Sequence, residues 1–167
     1  TVVYFFVDNR ENVYVVKCDG MTYLSNPTWI NHLKTKYHHQ YRCQLYCPDM
    51  ANPGDAVEMR KVGLPVISNP DKGNINTGIQ VIKKWLRTPG MADSKIFFAR
   101  ETCGPIIQEF NMYHFKTDAA GQVSEDPDTE FDHWIDALRY PMTYLFSKSS
   151  IILSNAGLDF EQSSIVD

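Results

Sequence analysis

The residues of this sequence best suited to chemistry lie near its C-terminal end, in the stretch DHWIDALRY at positions 132–140. In a helix, side chains three or four positions apart share a face, so Asp136 would lie beside both Asp132 and His133. Two carboxylates and an imidazole could therefore converge on one point. Asp136 has no helix end to cap, and a carboxylate in that position calls for a partner such as Arg139 or a cation.

A second candidate carboxylate is Asp49. The preceding segment CQLYC at 43–47 alternates like a strand and ends at Pro48, so Asp49 would follow the carboxyl end of a strand, where open α/β sheets bind ligands. If Asp49 and Asp136 meet, they repel unless a hard divalent cation lies between them, and oxygen ligands favour Mg²⁺ or Mn²⁺ over Zn²⁺. Two such ions about 4 Å apart would activate water and stabilise the leaving oxygen of a phosphodiester.

Simpler roles are open for the same residues. Asp132 could complete a capping box with Thr129, His133 could be an ordinary helix histidine, and Asp49 could be a turn residue. A zinc site would need two histidines and two cysteines, namely His38, His39, Cys43 and Cys47. Their spacing is not of the CxxC type, and cysteines alternating on a strand behave as small core residues, so the zinc site is the weaker hypothesis.

Two further residues have limited chemical prospects. Cys103 precedes a helix start and could be a thiol nucleophile, but no histidine and acid can be assigned to it, which favours a packing role. Lys72 lies in the loop NPDKGN at 69–74, which lacks the phosphate-binding P-loop pattern. Lys72 could still contact a phosphate, although a solvated loop lysine is the commoner case.

Alternating strand and helix patterns must position these residues. The predicted strands are 2–7 and 13–16 as a hairpin, then 43–47, 66–67, 96–99 and a second hairpin at 113–116 and 122–124. The predicted helices are 26–37, 55–63, 75–86, 105–112 and 129–146, the last bent by Pro141. This order predicts an α/β mixed sheet with an antiparallel N-terminal hairpin and helices on both faces, in a domain of residues 1–146 followed by a tail at 147–167.

Composition agrees with a packed domain. Of 167 residues, 43% are hydrophobic and 22% charged, which excludes a disordered chain. No apolar run is long enough to span a membrane, no signal peptide is evident, and four cysteines suit a reducing compartment. The net charge of −4 argues against binding nucleic acid through bulk charge, so any DNA contact would use a local patch or a metal.

Three blocks of the sequence resemble one known family. They are YCPDMANPGDAVEMRKVG, NPDKGNINTGIQVIKKWL and DTEFDHWIDALRYPM, spanning residues 46–142. Together they resemble the C-terminal nuclease domain of the large terminase subunit of tailed phages, a ribonuclease H-like fold. The last block is the most specific. The resemblance implies a metal-dependent endonuclease with two Mg²⁺ or Mn²⁺ ions that cuts concatemeric double-stranded DNA during genome packaging.

The resemblance also assigns roles by position. Asp49 matches the second catalytic acid and Asp136 the third, with Asp132 as a further metal ligand and His133 as an auxiliary group. Lys72 and Arg139 would lie near the phosphate backbone. The family's partners are an N-terminal ATPase domain, a small terminase subunit and the portal, in the host cytoplasm.

One family residue has no counterpart here. The first catalytic aspartate belongs to a central strand that would precede Thr1, and Asp8 cannot replace it because Asp8 lies in the hairpin turn. We therefore expect this chain to lack that strand. An alternative is a non-catalytic ribonuclease H-like module that docks on DNA or the portal. A third option is another nuclease of this fold, such as a transposase or junction resolvase, and the DALRY block argues against it.

Overall fold

The apolar N-terminal segments pair as an antiparallel hairpin in the computed structural model, which describes residues 1–22, 24–49, 51–67, 75–86, 94–117, 121–127 and 132–146. Strand β1 spans Val2–Val7 and strand β2 spans Val13–Asp19. The turn is held by Asp8, whose Oδ1 accepts the backbone N–H groups of Arg10 and Asn12, both at 2.8 Å. Strand β3, Ile96–Phe98, pairs parallel to β2, so the order is β1-β2-β3 and β1 is an edge strand.

A bulge in the hairpin distributes its side chains between two cores. Tyr4 pairs with Lys17 and Phe5 with Val15, which leaves Val16 as the extra residue on β2. The side chains of β2 therefore change faces of the sheet at Val16. As a result Val15 and Cys18, three positions apart, both contact the same hydrophobic core.

The larger core lies on one face of the sheet beneath three helices. These are α3 (Ile75–Trp85), α4 (Gly104–Met112) and α5 (His133–Phe146). The completely buried residues at its centre are Val13, Cys103, Ile106, Leu138 and Met142. Helix α5 contacts α3, α4 and β1, so the helix predicted to bear the chemistry is fixed on three sides.

The opposite face is covered by the two N-terminal helices. Helix α1 (Asn26–His32) begins with Pro27 in its first turn and continues as a π-helical segment, Leu33–His38, and α2 spans Pro53–Lys61. The buried residues of the core on this face are Tyr4, Ile30, Leu33, Tyr37, Tyr46, Met59 and Leu64. Helices on both faces of a mixed sheet confirm the predicted α/β class.

Three predicted elements differ from the observed ones. The strands predicted at 43–47 and 66–67 are both reduced to one parallel bridge between Tyr46 and Val66, because within the described residues the two segments are paired only at this point. The last helix was predicted to begin at Thr129 and is observed from His133, while 128–131 lie outside the described residues.

The predicted second hairpin is confirmed as a separate two-stranded sheet, β4 (Phe115–Thr117) and β5 (Val123–Pro127). The loop containing Lys72 and the predicted tail lie outside the described residues. Among the helices that the structure describes, none has the length and apolar character needed to cross a membrane.

Candidate active-site cleft

A cleft of about 820 Å³ lies between the open edge of β1 and the segment that ends at Asp49. Side chains from both faces of β1 form one wall, and residues along α5 from His133 to Leu145 contribute to another. Its acidic and basic side chains are Arg42, Asp49, Asp55, His133 and Asp136, and its phenolic side chains are Tyr4, Tyr41, Tyr46 and Tyr140. The structure therefore places Asp49, His133 and Asp136 on the lining of one cavity.

Asp136 is held by two residues that follow it on α5. The Arg139 guanidinium donates to Asp136 Oδ1 from Nε at 2.9 Å and lies 2.8 Å from it through Nη2. The Tyr140 hydroxyl donates to Oδ2 at 3.1 Å. A carboxylate has about four acceptor positions. Oδ1 is therefore saturated by Arg139, and the acceptor capacity that remains is on Oδ2.

Arg139 itself is buried, with 3% of its surface exposed. Its side chain crosses α3 at Gly78, where an added Cβ would lie 2.5 Å from Arg139 Cγ. Because the guanidinium is enclosed and bonded to Asp136, it is not available to a phosphate backbone. This corrects the prediction that Arg139 contacts DNA and identifies it as the partner of Asp136.

Asp49 forms a tight local turn at the rim of the cleft. Its side chain is exposed, and Oδ1 accepts the backbone N–H of Ala51 at 2.9 Å, so the simple turn role is present. Tyr140 links this residue to Asp136 electrostatically. Burial raises the pKa of the Tyr140 hydroxyl, and the negative charges of Asp136 and then Asp49 raise it further. Of the two carboxylates, Asp136 accepts a hydrogen bond from this phenol, and Asp49 acts on it through charge alone.

Asp132 and His133 mark the beginning of α5. The Asp132 carbonyl accepts the N–H of Asp136 at 2.7 Å, and its carboxylate lies 3.7 Å from His133 Nδ1. Burial and the charge of Asp136 raise the pKa of Asp132. The His133 side chain is 75% exposed, which leaves its imidazole accessible from the cleft.

Sequence reasoning missed Glu109, which anchors the first turn of α5. Glu109 Oε2 accepts the backbone N–H groups of Trp134 at 2.7 Å and Ile135 at 2.9 Å. Burial raises the pKa of Glu109, and the two amide donors oppose that rise. The available signal was its position three residues after Ile106, on the buried face of α4, where an unpaired carboxylate would be costly.

The donor set can be compared with the needs of a metal. Within the described ranges, no three His, Cys, Asp or Glu residues are grouped so as to hold an ion. This gives no support to the zinc hypothesis, and the four cysteines are free thiols. Magnesium, however, keeps several waters and is bound through one or two carboxylates, so a hydrated hard cation does not require a three-ligand group.

No protein-family model matches the sequence, and a search of curated proteins finds no match. A search of solved structures finds the nuclease domain of g2p, the large terminase of bacteriophage SPP1, crystallised with bound Mn. The TM-score is 0.63 at 18% sequence identity, over 83% of this chain and 74% of that chain. At this identity the likeness shows the fold, so the chain has a terminase nuclease-like fold of the ribonuclease H type.

Proposed function

We propose that this chain is a metal-dependent DNA endonuclease domain of a phage packaging terminase, in which Asp49 and Asp136 bind a divalent cation. The observation that supports this most directly is that both carboxylates line one cleft. The fold likeness to a nuclease domain crystallised with Mn supports it further. Mg²⁺ or Mn²⁺, once bound, would supply Lewis-acid stabilisation of the charge that develops on the scissile phosphate.

The protein groups around the carboxylates have separable tasks. Asp136 offers Oδ2 while Arg139 holds Oδ1. His133 is exposed at the cleft and can accept a proton from the attacking water or donate one to the leaving oxygen. The Asp132 carboxylate lies 3.7 Å from Nδ1, which is too long for a hydrogen bond but places a negative charge beside the imidazolium that proton transfer would create. These assignments describe in-line phosphodiester hydrolysis.

Contacts with double-stranded DNA would be made through the sugar-phosphate backbone, giving sequence-tolerant cleavage. Arg42 is exposed and lines the cleft, so we propose it as a phosphate contact in the place predicted for Arg139. Lys72 stays a prediction because it lies outside the described residues. With a net charge of −4, binding would depend on these local cations and on the metal.

The open edge of β1 bears on how the domain is completed. All six residues of β1 are apolar, a pattern typical of interior strands, whereas edge strands are usually protected by charge or proline. We propose that the strand bearing the family's first catalytic aspartate would lie in the cleft beside β1, and that a second cation depends on it. We also propose, from the resemblance to the terminase family, that the partners are an N-terminal ATPase domain, a small terminase subunit and the portal. These partners would be met in the host cytoplasm.

A plasmid-nicking assay with Mn²⁺ tests the proposal, using this chain and a version extended at its N-terminus. Asp49→Asn and Asp136→Asn should each lower cleavage by roughly 100-fold or more, because several kcal/mol of charge stabilisation is lost. Asp8→Asn is a matched control, since Asp8 lies in the hairpin turn and does not line the cleft. Cleavage by Asp136→Asn at the wild-type rate would overturn the proposal.

The non-catalytic docking module is the second candidate. Two observations favour it: Asp136 already has Arg139 as a counter-ion, and the described residues provide no three-ligand group. Cutting by the extended version alone supports an enzyme that needs the additional strand. Binding of a DNA duplex without cutting by either version supports the docking module.

A further inference from the structure

We propose that Arg139 and Gly78 form a positioning device that determines which oxygen of Asp136 faces the cation. This inference rests on the proposed function, because it concerns the same carboxylate. It states that Arg139 fixes Oδ1, so that Asp136 binds a cation through Oδ2 alone. It also states that Gly78, on a different helix and outside the cleft lining, controls this geometry.

The first observation is the burial of the guanidinium side of the ion pair. Arg139 Nε and Nη2 both bond to Asp136 Oδ1, and 4% of the Arg139 side chain is exposed against 28% of the Asp136 side chain. The guanidinium carbon lies 4.7 Å from the centre of the Tyr140 ring, and Tyr140 in turn donates to Asp136 Oδ2. Since water cannot replace Asp136 as the partner of the buried guanidinium, the contact restricts the Asp136 rotamer and leaves the exposed part of the carboxylate on the cleft side.

The second observation is the close approach of α3 to the Arg139 side chain. A Cβ at Gly78 would lie 2.5 Å from Arg139 Cγ, 2.7 Å from Cδ and 3.0 Å from Thr143 Oγ1. Glycine inside a helix costs about 1 kcal/mol relative to alanine, so its presence here has a packing reason. Thr143 is also fixed, since its hydroxyl donates to the Arg139 carbonyl at 2.8 Å.

These contacts connect a helix crossing to the site. A methyl group at Gly78 must displace the Arg139 methylenes, and their displacement moves Nε, which holds Asp136 Oδ1. Residues that orient a metal ligand without touching the metal typically change metal affinity by roughly 10–100-fold when replaced. The expected effect therefore appears in cation affinity and does not require a change at any residue lining the cleft.

The test is a Mn²⁺ titration of the whole chain, with free Mn²⁺ measured by electron paramagnetic resonance and folding followed by circular dichroism. Gly78→Ala and Arg139→Lys should each raise the Kd for Mn²⁺ by roughly 10-fold or more. Lysine keeps the charge but lacks the planar fork that contacts Oδ1. Gly104→Ala is the matched control, because a Cβ there meets nothing within 4 Å, and its Kd should equal that of the wild type.

Wild-type affinity in both variants would overturn the positioning role. The role would also be refuted if the variants melt at lower temperature while their folded fraction binds Mn²⁺ normally, since Gly78 and Arg139 would then be purely structural. If Gly78→Ala does not fold, the Nε–H resonance of Arg139 provides the test: it should shift in Asp136→Asn, and an unchanged resonance overturns the proposal. Unaltered Mn²⁺ binding by Asp136→Asn would instead refute the proposed function.

Discussion

Replacing Glu109 tests whether the first turn of α5 depends on a carboxylate from α4. In the folded protein, Glu109 Oε2 accepts two backbone N–H groups, those of Trp134 and Ile135. These are among the N–H groups of a first helical turn that have no acceptor within the helix. Glu109 is 7% exposed, so water could replace its carboxylate only in part. Helix α5 holds His133 and Asp136, and its start therefore matters for the site.

The loss in unfolding free energy expected for Glu109→Ala follows from the two backbone N–H groups that would lose their acceptor. Each buried N–H without an acceptor costs about 1–3 kcal/mol, and two are left. Because the neighbouring His133 is exposed, water can reach part of this turn, and the lower end of that range applies. With the lost methylene contacts, we expect a decrease of about 3 kcal/mol in the free energy of unfolding. Glu109→Gln keeps an acceptor oxygen and should cost less than about 1 kcal/mol.

Urea unfolding followed by circular dichroism measures the difference. With a slope of about 2 kcal/mol per molar urea, Glu109→Ala should lower the midpoint by roughly 1.5 M. Gln108→Ala, at an exposed position of the same helix, is the control and should stay within about 0.5 kcal/mol of the wild type. Equal losses in the Ala and Gln variants, or a loss below about 1 kcal/mol in Ala, would refute the capping argument.

The pH dependence of the stability that Glu109 contributes gives an independent check. Burial raises the pKa of Glu109 above its ordinary 4.5, against the two amide donors. The folded state therefore binds this proton more tightly than the unfolded state, and the contribution to stability is complete below 4.5 and lost as pH rises through the raised pKa. The wild type should thus exceed Glu109→Gln by more at about pH 4 than at about pH 8. A difference that does not change with pH would contradict this.

Two other substitutions test the rest of the fold. Burial raises the pKa of Asp19, but hydrogen bonds from His32 and Tyr37 outweigh it and hold the pKa below 3.8. Asp19→Asn should therefore destabilise the protein above about pH 4, and its effect on the unfolding free energy should vanish as pH falls through the lowered pKa. A loss in unfolding free energy that persists in strong acid would be contrary evidence. Leu138→Ala removes a completely buried side chain and should cost about 2–5 kcal/mol in urea unfolding; a loss under about 1 kcal/mol would mean that the core collapses around the gap.

Local patterns were sufficient for most elements of the fold. The β-branched runs of the hairpin and the apolar period from Ile75 to Trp85 predict structures that depend mainly on their own residues. The strand at 43–47 was not formed as predicted, because a strand needs a neighbour for its whole length and Tyr46 pairs with a single residue, Val66. Strand pairing of this kind depends on distant segments that periodicity does not specify.

The site shows the same division. Spacing along one helix placed His133 and Asp136 on a shared side, where both line the cleft, and that relation needs only helical geometry. Asp132 precedes the observed helix and is not among the residues that line the cleft. Spacing could not decide between Arg139 and a cation as the partner of Asp136, because the burial of Arg139 depends on the crossing of α3 at Gly78. Physical reasoning from a single segment cannot foresee a contact between two helices far apart in the chain.

The central claim is that Asp49 and Asp136 share a cation, and a crystal structure of the chain with Mn²⁺ tests it most directly. Anomalous scattering locates the ion independently of the protein atoms. We expect a Mn²⁺ peak in the cleft with carboxylate oxygens of both Asp49 and Asp136 about 2.1 Å away. A peak bound elsewhere, or carboxyl oxygens of these two residues more than about 10 Å apart, would contradict it, because ligand bonds of that length cannot bridge such a distance.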